Sequence, residues 1–161
     1  MALTIAEYLE RGPATSRQIQ LDLNMNQAAV SRQLRRMKDR IVKIPNGRSP
    51  LYALARNAFG SDDKLPLFMV DAYGNNAVAA TLRPLSNGGF FVEPSIGMPS
   101  ILLGESKTGF YEDLPFFLHD LSPQGFLGRQ IAEELSRQSE DFPPDPRRWN
   151  TSHIGRYLIS N

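Results

Sequence analysis

The sequence predicts an α+β protein. Residues 1–60 read as a module of three helices and a two-stranded hairpin, and residues 65–161 as a small antiparallel sheet with helices beside it. Three observations predict this. Apolar residues recur every three to four positions before Gly60 and alternate after it. Asn-Gly and Gly-Asn steps punctuate the strand-like runs at hairpin spacing. Charge also divides the chain: ten Lys/Arg stand against four Asp/Glu in residues 1–60, and eight against thirteen in residues 61–161. A basic end joined to an acidic end suits two modules with different partners. The polar, glycine-containing stretch Phe59-Gly60-Ser61-Asp62-Asp63-Lys64 reads as the short linker between them.

Thr4 caps a first helix that is expected to reach Arg11, with Ile5 and Leu9 on one face, before Gly12-Pro13 stops it. Thr15-Ser16 opens a second helix through Leu23, in which Ile19 and Leu23 share a face. Asn24-Met25-Asn26 is a tight polar turn. Asn26 caps a third helix expected to run to about Arg40, with Val30, Leu34 and Met37 one or two turns apart. Ile41–Ile44 and Leu51–Leu54 read as strands joined across Asn46-Gly47. Beyond the linker, 67–70, 77–82 and 90–92 read as strands, with turns at Gly74-Asn75-Asn76 and Asn87-Gly88-Gly89. Residues 114–138 read as helical with a break at Leu121–Gly125, and 152–159 as a last helix. Phe142-Pro143-Pro144-Asp145-Pro146 stops any helix before it.

The order helix, helix, short turn, helix, hairpin is that of a winged helix-turn-helix. In such folds the third helix lies in the DNA major groove, with its first turn reaching deepest. Val30, Leu34 and Met37 supply the face that packs on the other two helices; the polar remainder has the right chemistry for a groove. Gln bonds adenine, Arg bonds guanine, and Ser bonds several base edges or phosphate. Gln27, Ser31 and Arg32 are therefore the expected base contacts. Arg35, Arg36 and Lys38 are expected phosphate contacts, which position without reading sequence. Arg48, at the tip of the wing, is expected to touch the minor groove or the backbone. Ser16 and Arg17 add phosphate contacts at the start of the second helix. Ala14 to Met37, with its Val30-Ser31-Arg32-Gln33-Leu34 core, resembles the recognition unit of bacterial winged-helix regulators. The rival reading is a winged helix that only packs on another protein.

The chemistry of the second half is sparser. No cysteine is present, so disulfides, thiolate zinc sites and cysteine nucleophiles are excluded. No Walker-type phosphate loop occurs. His119 beside Asp120 is the only imaginable acid–base pair, and neighbours in sequence rarely orient one another for catalysis. His153 reads as a surface or helix-start residue. Glu133, Glu134, Glu140 and Asp141 read as a solvated acidic face, and Phe110, Tyr111, Phe116, Phe117 and Phe126 as mainly core, with any exposed subset marking a docking surface. No catalytic, cofactor or metal residue is assigned. No apolar run reaches the length of a membrane span, and Met1–Glu7 lacks the basic start of a signal peptide. The expected compartment is the cytoplasm.

The stretch Gly109–Leu135 resembles the N-terminal subdomain of HipA-like serine/threonine kinases. The matching positions are Phe116, Phe117, Leu121, Ser122, Pro123, Gly125 and Arg129. Tyr73-Gly74 and Ala80-Thr81-Leu82 before them, and Trp149 to Leu158 after them, are similar as well. The HipH or YjjJ-type branch, which places a winged helix in front, is the better match and covers nearly the whole chain. The kinase motifs of that family lie further along its members and are absent here, so the resemblance carries over no kinase residue. It implies either a fragment of a longer toxin kinase or a free-standing subunit that restrains one. The stop at Asn161, inside an expected helix, points to a fragment. The expected partners are double-stranded DNA, a HipA-like kinase core in cis or in trans, and a second copy on a near-palindromic site.

Overall fold

The computed structural model describes residues 3–161. Met1 and Ala2, part of the stretch read as lacking a signal sequence, lie outside the described residues. By packing, the chain forms two units: the described residues to Asn57 together with Asp62–Glu112, and Ala58–Ser61 together with Asp113–Asn161.

The first unit opens with α1 (Ile5–Leu9), whose N-terminus is closed by a reciprocal box. Thr4 Oγ1 accepts from the Glu7 N–H at 3.2 Å, and the Glu7 carboxylate accepts from the Thr4 N–H at 2.8 Å. The Thr4 N–H, and then the Thr4 hydroxyl donating to the same carboxylate at 2.8 Å, hold the Glu7 carboxyl below its ordinary pKa. The same device, with Thr15 and Gln18, starts α2 (Ser16–Asp22). Between them lies β1 (Ala14–Thr15), a strand too short to show any periodicity in the sequence. Asn24 takes a left-handed φ of 51° in the turn that follows α2, a conformation asparagine tolerates better than most residues. Asn26 then caps α3 (Gln27–Arg36) through Ala29 N–H at 2.8 Å.

Two helix ends differ from expectation. α1 stops at Leu9 and α3 at Arg36, so Lys38 lies beyond the helix and not on it. At the end of α3 the Met37 N–H is shared between the Gln33 and Leu34 carbonyls, and Arg40 and Ile41 both turn back onto Met37 O. This tightened last turn redirects the chain into β2 (Ile41–Ile44).

β2 pairs antiparallel with β3 (Leu51–Leu54), and β3 with β1, in the order β1-β3-β2. The hairpin is the wing, and apolar residues on both its faces pack into a core, while Lys43 stays exposed. Leu54, Ile41 and Tyr52 pack with the helices around Ile5, Leu9, Ile19, Val30 and Leu34. Val42, Ile44 and Ala53 pack with Leu85 and Phe91 of the next sheet. Burial on two faces explains why these strands read as apolar runs without clean alternation.

The second sheet is β4 (Leu65–Val70), β5 (Asn76–Pro84), β6 (Phe90–Pro94) and β7 (Phe110–Tyr111), antiparallel in that order. Backbone bonds tie it to the end of the wing: Arg56 N–H to Pro84 O at 2.9 Å and Ser86 N–H to Leu54 O at 2.8 Å. Arg83 is buried and clamps the chain before β4, donating to the Asp63 carbonyl at 2.8 Å and its carboxylate at 3.0 Å. This network and the shared core are why the sheet groups with the helix-turn-helix residues.

The second unit holds α4 (Phe116–His119), α5 (Gly125–Gln138) and α6 (Thr151–Ser160). Gly128 lets the first turn of α5 pass close to Pro123; a β-carbon there would lie 2.5 Å from the Pro123 carbonyl carbon. Asn150 and His153 form a third reciprocal cap, Asn150 N–H to His153 Nδ1 at 2.9 Å and His153 N–H to Asn150 Oδ1 at 3.1 Å. Phe142, Trp149, His153 and Tyr157 stack around this start, and the Trp149 indole donates to Pro143 O at 2.9 Å. Thr151 Oγ1 donates to Asp113 at 2.6 Å; this bond, with the Leu114 N–H, keeps the Asp113 carboxyl below its ordinary pKa. Phe59, with a left-handed φ of 59°, lays its ring where a β-carbon on Gly155 would stand.

That contact gives a test. Although alanine is the better helix former, Gly155→Ala forces the half-buried Phe59 ring aside and lowers stability by about 1–3 kcal/mol, the usual cost of overpacking. Urea denaturation checks this, and adding Phe59→Ala to Gly155→Ala recovers part of the loss if the ring is the obstacle.

Candidate nucleic-acid interface

The candidate interface is set by which side of α3 is buried. Val30 is wholly inaccessible and Leu34 nearly so, while Gln27, Ala28, Ser31, Arg32, Arg35 and Arg36 are exposed. At roughly 100° per residue, Ala28, Arg32, Arg35 and Arg36 project within about 60° of the direction opposite Val30 and Leu34. Ser31 stands at about a right angle to that stripe. Gln27, in the first turn, lies beside the buried side. Lys38 is exposed just past the helix end.

Arg48 is exposed in the loop joining β2 and β3. That loop spans 45–50 and is held by Asn46 Nδ2 donating to Ser49 O at 3.1 Å, with Gly47 at φ 56°. At the start of α2, Arg17 is exposed, and half-buried Ser16 accepts from Gln20 Nε2 at 3.2 Å. Lys43, exposed at the middle of the outer strand β2, is a further cation on the wing. Its place in an otherwise apolar strand of four residues was the signal that could have found it.

Among the described residues, none of these cations has an acidic partner. Among the described residues, the ion pairs are formed by Arg83, Arg137, Arg147 and Arg156. Arg17, Arg32, Arg35, Arg36, Lys38, Lys43 and Arg48 belong to none of them. Like charges three or four residues apart on a helix cost about 0.2–0.5 kcal/mol per pair, and α3 carries two such pairs, Arg32 with Arg35 and Arg32 with Arg36. Arg35 and Arg36 gain some of this back from the helix dipole at the C-terminal turn. Arg32, mid-helix, does not. A polyanion across this face removes the repulsion and gains the attraction.

The second unit has no comparable charge focus. Glu134 is bonded by Gln138 at 2.9 Å and paired with Arg137 at 3.5 Å, and Asp141 pairs with Arg156 at 3.1 Å. Two members of the acidic face, Glu134 and Asp141, therefore carry local partners. Ser122, Pro123, Gly125 and Arg129 line a cleft of about 440 Å³ with His119 and Trp149. Among the described residues, the His119 imidazole makes no hydrogen bond to a serine hydroxyl or a carboxylate, its carbonyl alone accepting from the Ser122 N–H at 3.1 Å, and no group of three or more His, Asp or Glu residues could hold a metal ion. No helix among them is long and apolar enough to cross a membrane. Of the dense aromatics, Phe116 and Phe126 are exposed, and so are Leu121, Leu127 and Ile131.

A family model described as "YjjJ-like toxin, middle domain" matches residues 61–161, and one described as "Bacterial regulatory protein, arsR family" matches residues 2–40. Among curated proteins, the chain is similar to Toxin YjjJ of Escherichia coli (strain K12). The two are 28% identical over 150 residues, which cover 93% of this chain and 31% of that protein. The chain thus spans just under a third of the length of that relative. No solved structure matches it.

The cap of α3 can be tested apart from any ligand. Asn26→Ala leaves the Ala29 N–H without its acceptor and lowers stability by about 1 kcal/mol. Asn26→Asp, which keeps an acceptor at the same place, stays close to the parent in the same denaturant titration.

Proposed function

The chain belongs to the family described as YjjJ-like toxin, middle domain, and on that premise we propose that it is the DNA-binding, regulatory part of a HipA-like toxin. α3 enters the major groove of duplex DNA. Arg32, Ser31 and Gln27 meet base edges; Arg35, Arg36, Lys38, Ser16 and Arg17 meet phosphates; and Arg48 on the wing meets the flanking backbone or minor groove. The observation that carries the reading is the row of exposed arginines on α3 with no acidic partner. The similarity of residues 2–40 to a bacterial regulatory family supports it. Two copies would occupy the halves of a near-palindromic site. The chain itself has no catalytic role in this reading; the kinase activity belongs to the remainder of a longer toxin of the same branch, inside the cell.

Selection of tight binders from a random duplex library, followed by fluorescence anisotropy across a salt series, tests this. Affinity falls steeply with salt, and removing Arg36, Lys38 or Arg48 lowers the slope by about one each while weakening all duplexes alike. Arg32→Ala costs about 1–3 kcal/mol on the selected site and relaxes preference at one base pair. Failure to enrich any duplex, or binding indifferent to salt, overturns the proposal.

The exposed apolar residues of the second unit favour a second role alongside the first, as a surface that docks the rest of a YjjJ-type toxin in cis or in trans. Leu127 and Ile131 share one side of α5 one turn apart, next to the side that buries Gly128 and Ala132. Leu127→Ser with Ile131→Ser weakens co-purification of this chain with the remaining segment of such a toxin by tenfold or more, and leaves duplex binding unchanged. Undiminished association counts against docking through α5.

A further inference from the structure

Of the four exposed residues on the outward stripe of α3, three are arginines and one is Ala28; Ala29, at the edge of the stripe, is half-buried. Ala28 is exposed and sits in the first turn, where a recognition helix reaches furthest into the groove. Its only side-chain group is a methyl. A methyl facing a base edge forms no hydrogen bond, so adenine, guanine or cytosine opposite it would give up water from a polar edge and gain nothing in return. One base edge in the major groove offers an apolar counterpart, the C5 methyl of thymine.

We infer that Ala28 is a specificity-determining residue that reads a thymine through its C5 methyl. The inference rests on the proposal that α3 binds duplex DNA. Arg32 lies one turn further along the same stripe, about 6 Å away at 1.5 Å per residue. That is close to two base steps of roughly 3.4 Å, so the site contains a thymine within about two base pairs of the guanine bonded by Arg32. Ser31, at the flank of the stripe, stands beside this pair instead of between its members.

The test uses the full chain and the duplex selected for it. Each thymine of the selected site is replaced singly by deoxyuridine, which removes only the methyl. One position, within about two base pairs of the guanine that Arg32→Ala relaxes, loses about threefold to fivefold in affinity, the scale of one buried methyl. In Ala28→Gly that position no longer distinguishes thymine from deoxyuridine, whereas the other thymines respond as in the parent. Because glycine also weakens the helix, Ala28→Ser is measured beside it; serine keeps α3 but places a hydroxyl at the contact, and it shifts the preference away from thymine. A selected site with no thymine whose methyl matters, or a methyl effect that persists in both variants, overturns the inference and leaves DNA binding standing. If no duplex is selected at all, DNA binding itself has failed and the role of Ala28 falls with it.

Discussion

The burial of Val30 and Leu34 against α1, α2 and β3 is the constraint on which the rest of this structure depends. An α-helix has one side for each direction in space, so fixing the apolar stripe in a core fixes the opposite stripe in solvent. Here the exposed residues of the opposite stripe are Ala28, Arg32, Arg35 and Arg36. Burying a side chain such as valine or leucine is worth roughly 1.5–3 kcal/mol. The repulsion among the arginines costs a few tenths per pair. Core packing therefore decides the orientation, and the arginines accept the neighbours it imposes.

The caps sharpen that orientation. Thr4, Thr15, Asn26 and Asn150 each close a helix start with a side-chain oxygen. Each satisfies a backbone N–H that has no partner inside the helix. For α3 the cap also sets where the first turn begins, and hence that Ala28 lies in it. The wing is held differently. Apolar residues on its two faces pack against the helices on one side and against Leu85 and Phe91 on the other, so the exposed loop carrying Arg48 is joined to an anchored hairpin. A hairpin alone in water is marginal at best; this one is a shared layer.

The second unit is built on close approaches that only glycine allows. Gly128 admits Pro123 at the start of α5, and Gly155 admits the Phe59 ring beneath α6. Phe59 lies in the stretch that, by composition, reads as open linker. Its half-buried ring instead packs against Gly155 of α6, and a few residues later Asp63 is held by Arg83. Small polar residues favour turns as readily as linkers, so composition did not separate the two.

Local chemistry was legible in the sequence by itself. The third helix showed its periodicity in Val30, Leu34 and Met37; the caps of the first three helices showed as Thr4, Thr15 and Asn26; and the basic surface of α3 showed in its arginines, because these depend on residues within one or two turns of each other. Three features were decided only by tertiary structure. The two-residue strands β1 and β7 exist because a neighbouring strand pairs with them, and two residues carry no period. The end of α3 at Arg36 is set by the turn into β2, which long-range pairing with β3 requires. The grouping of the second sheet with the helix-turn-helix residues comes from Leu85, Phe91 and the backbone bonds beside them. Those contacts join residues 28 or more positions apart, and no pattern within a helix or a strand can encode that distance.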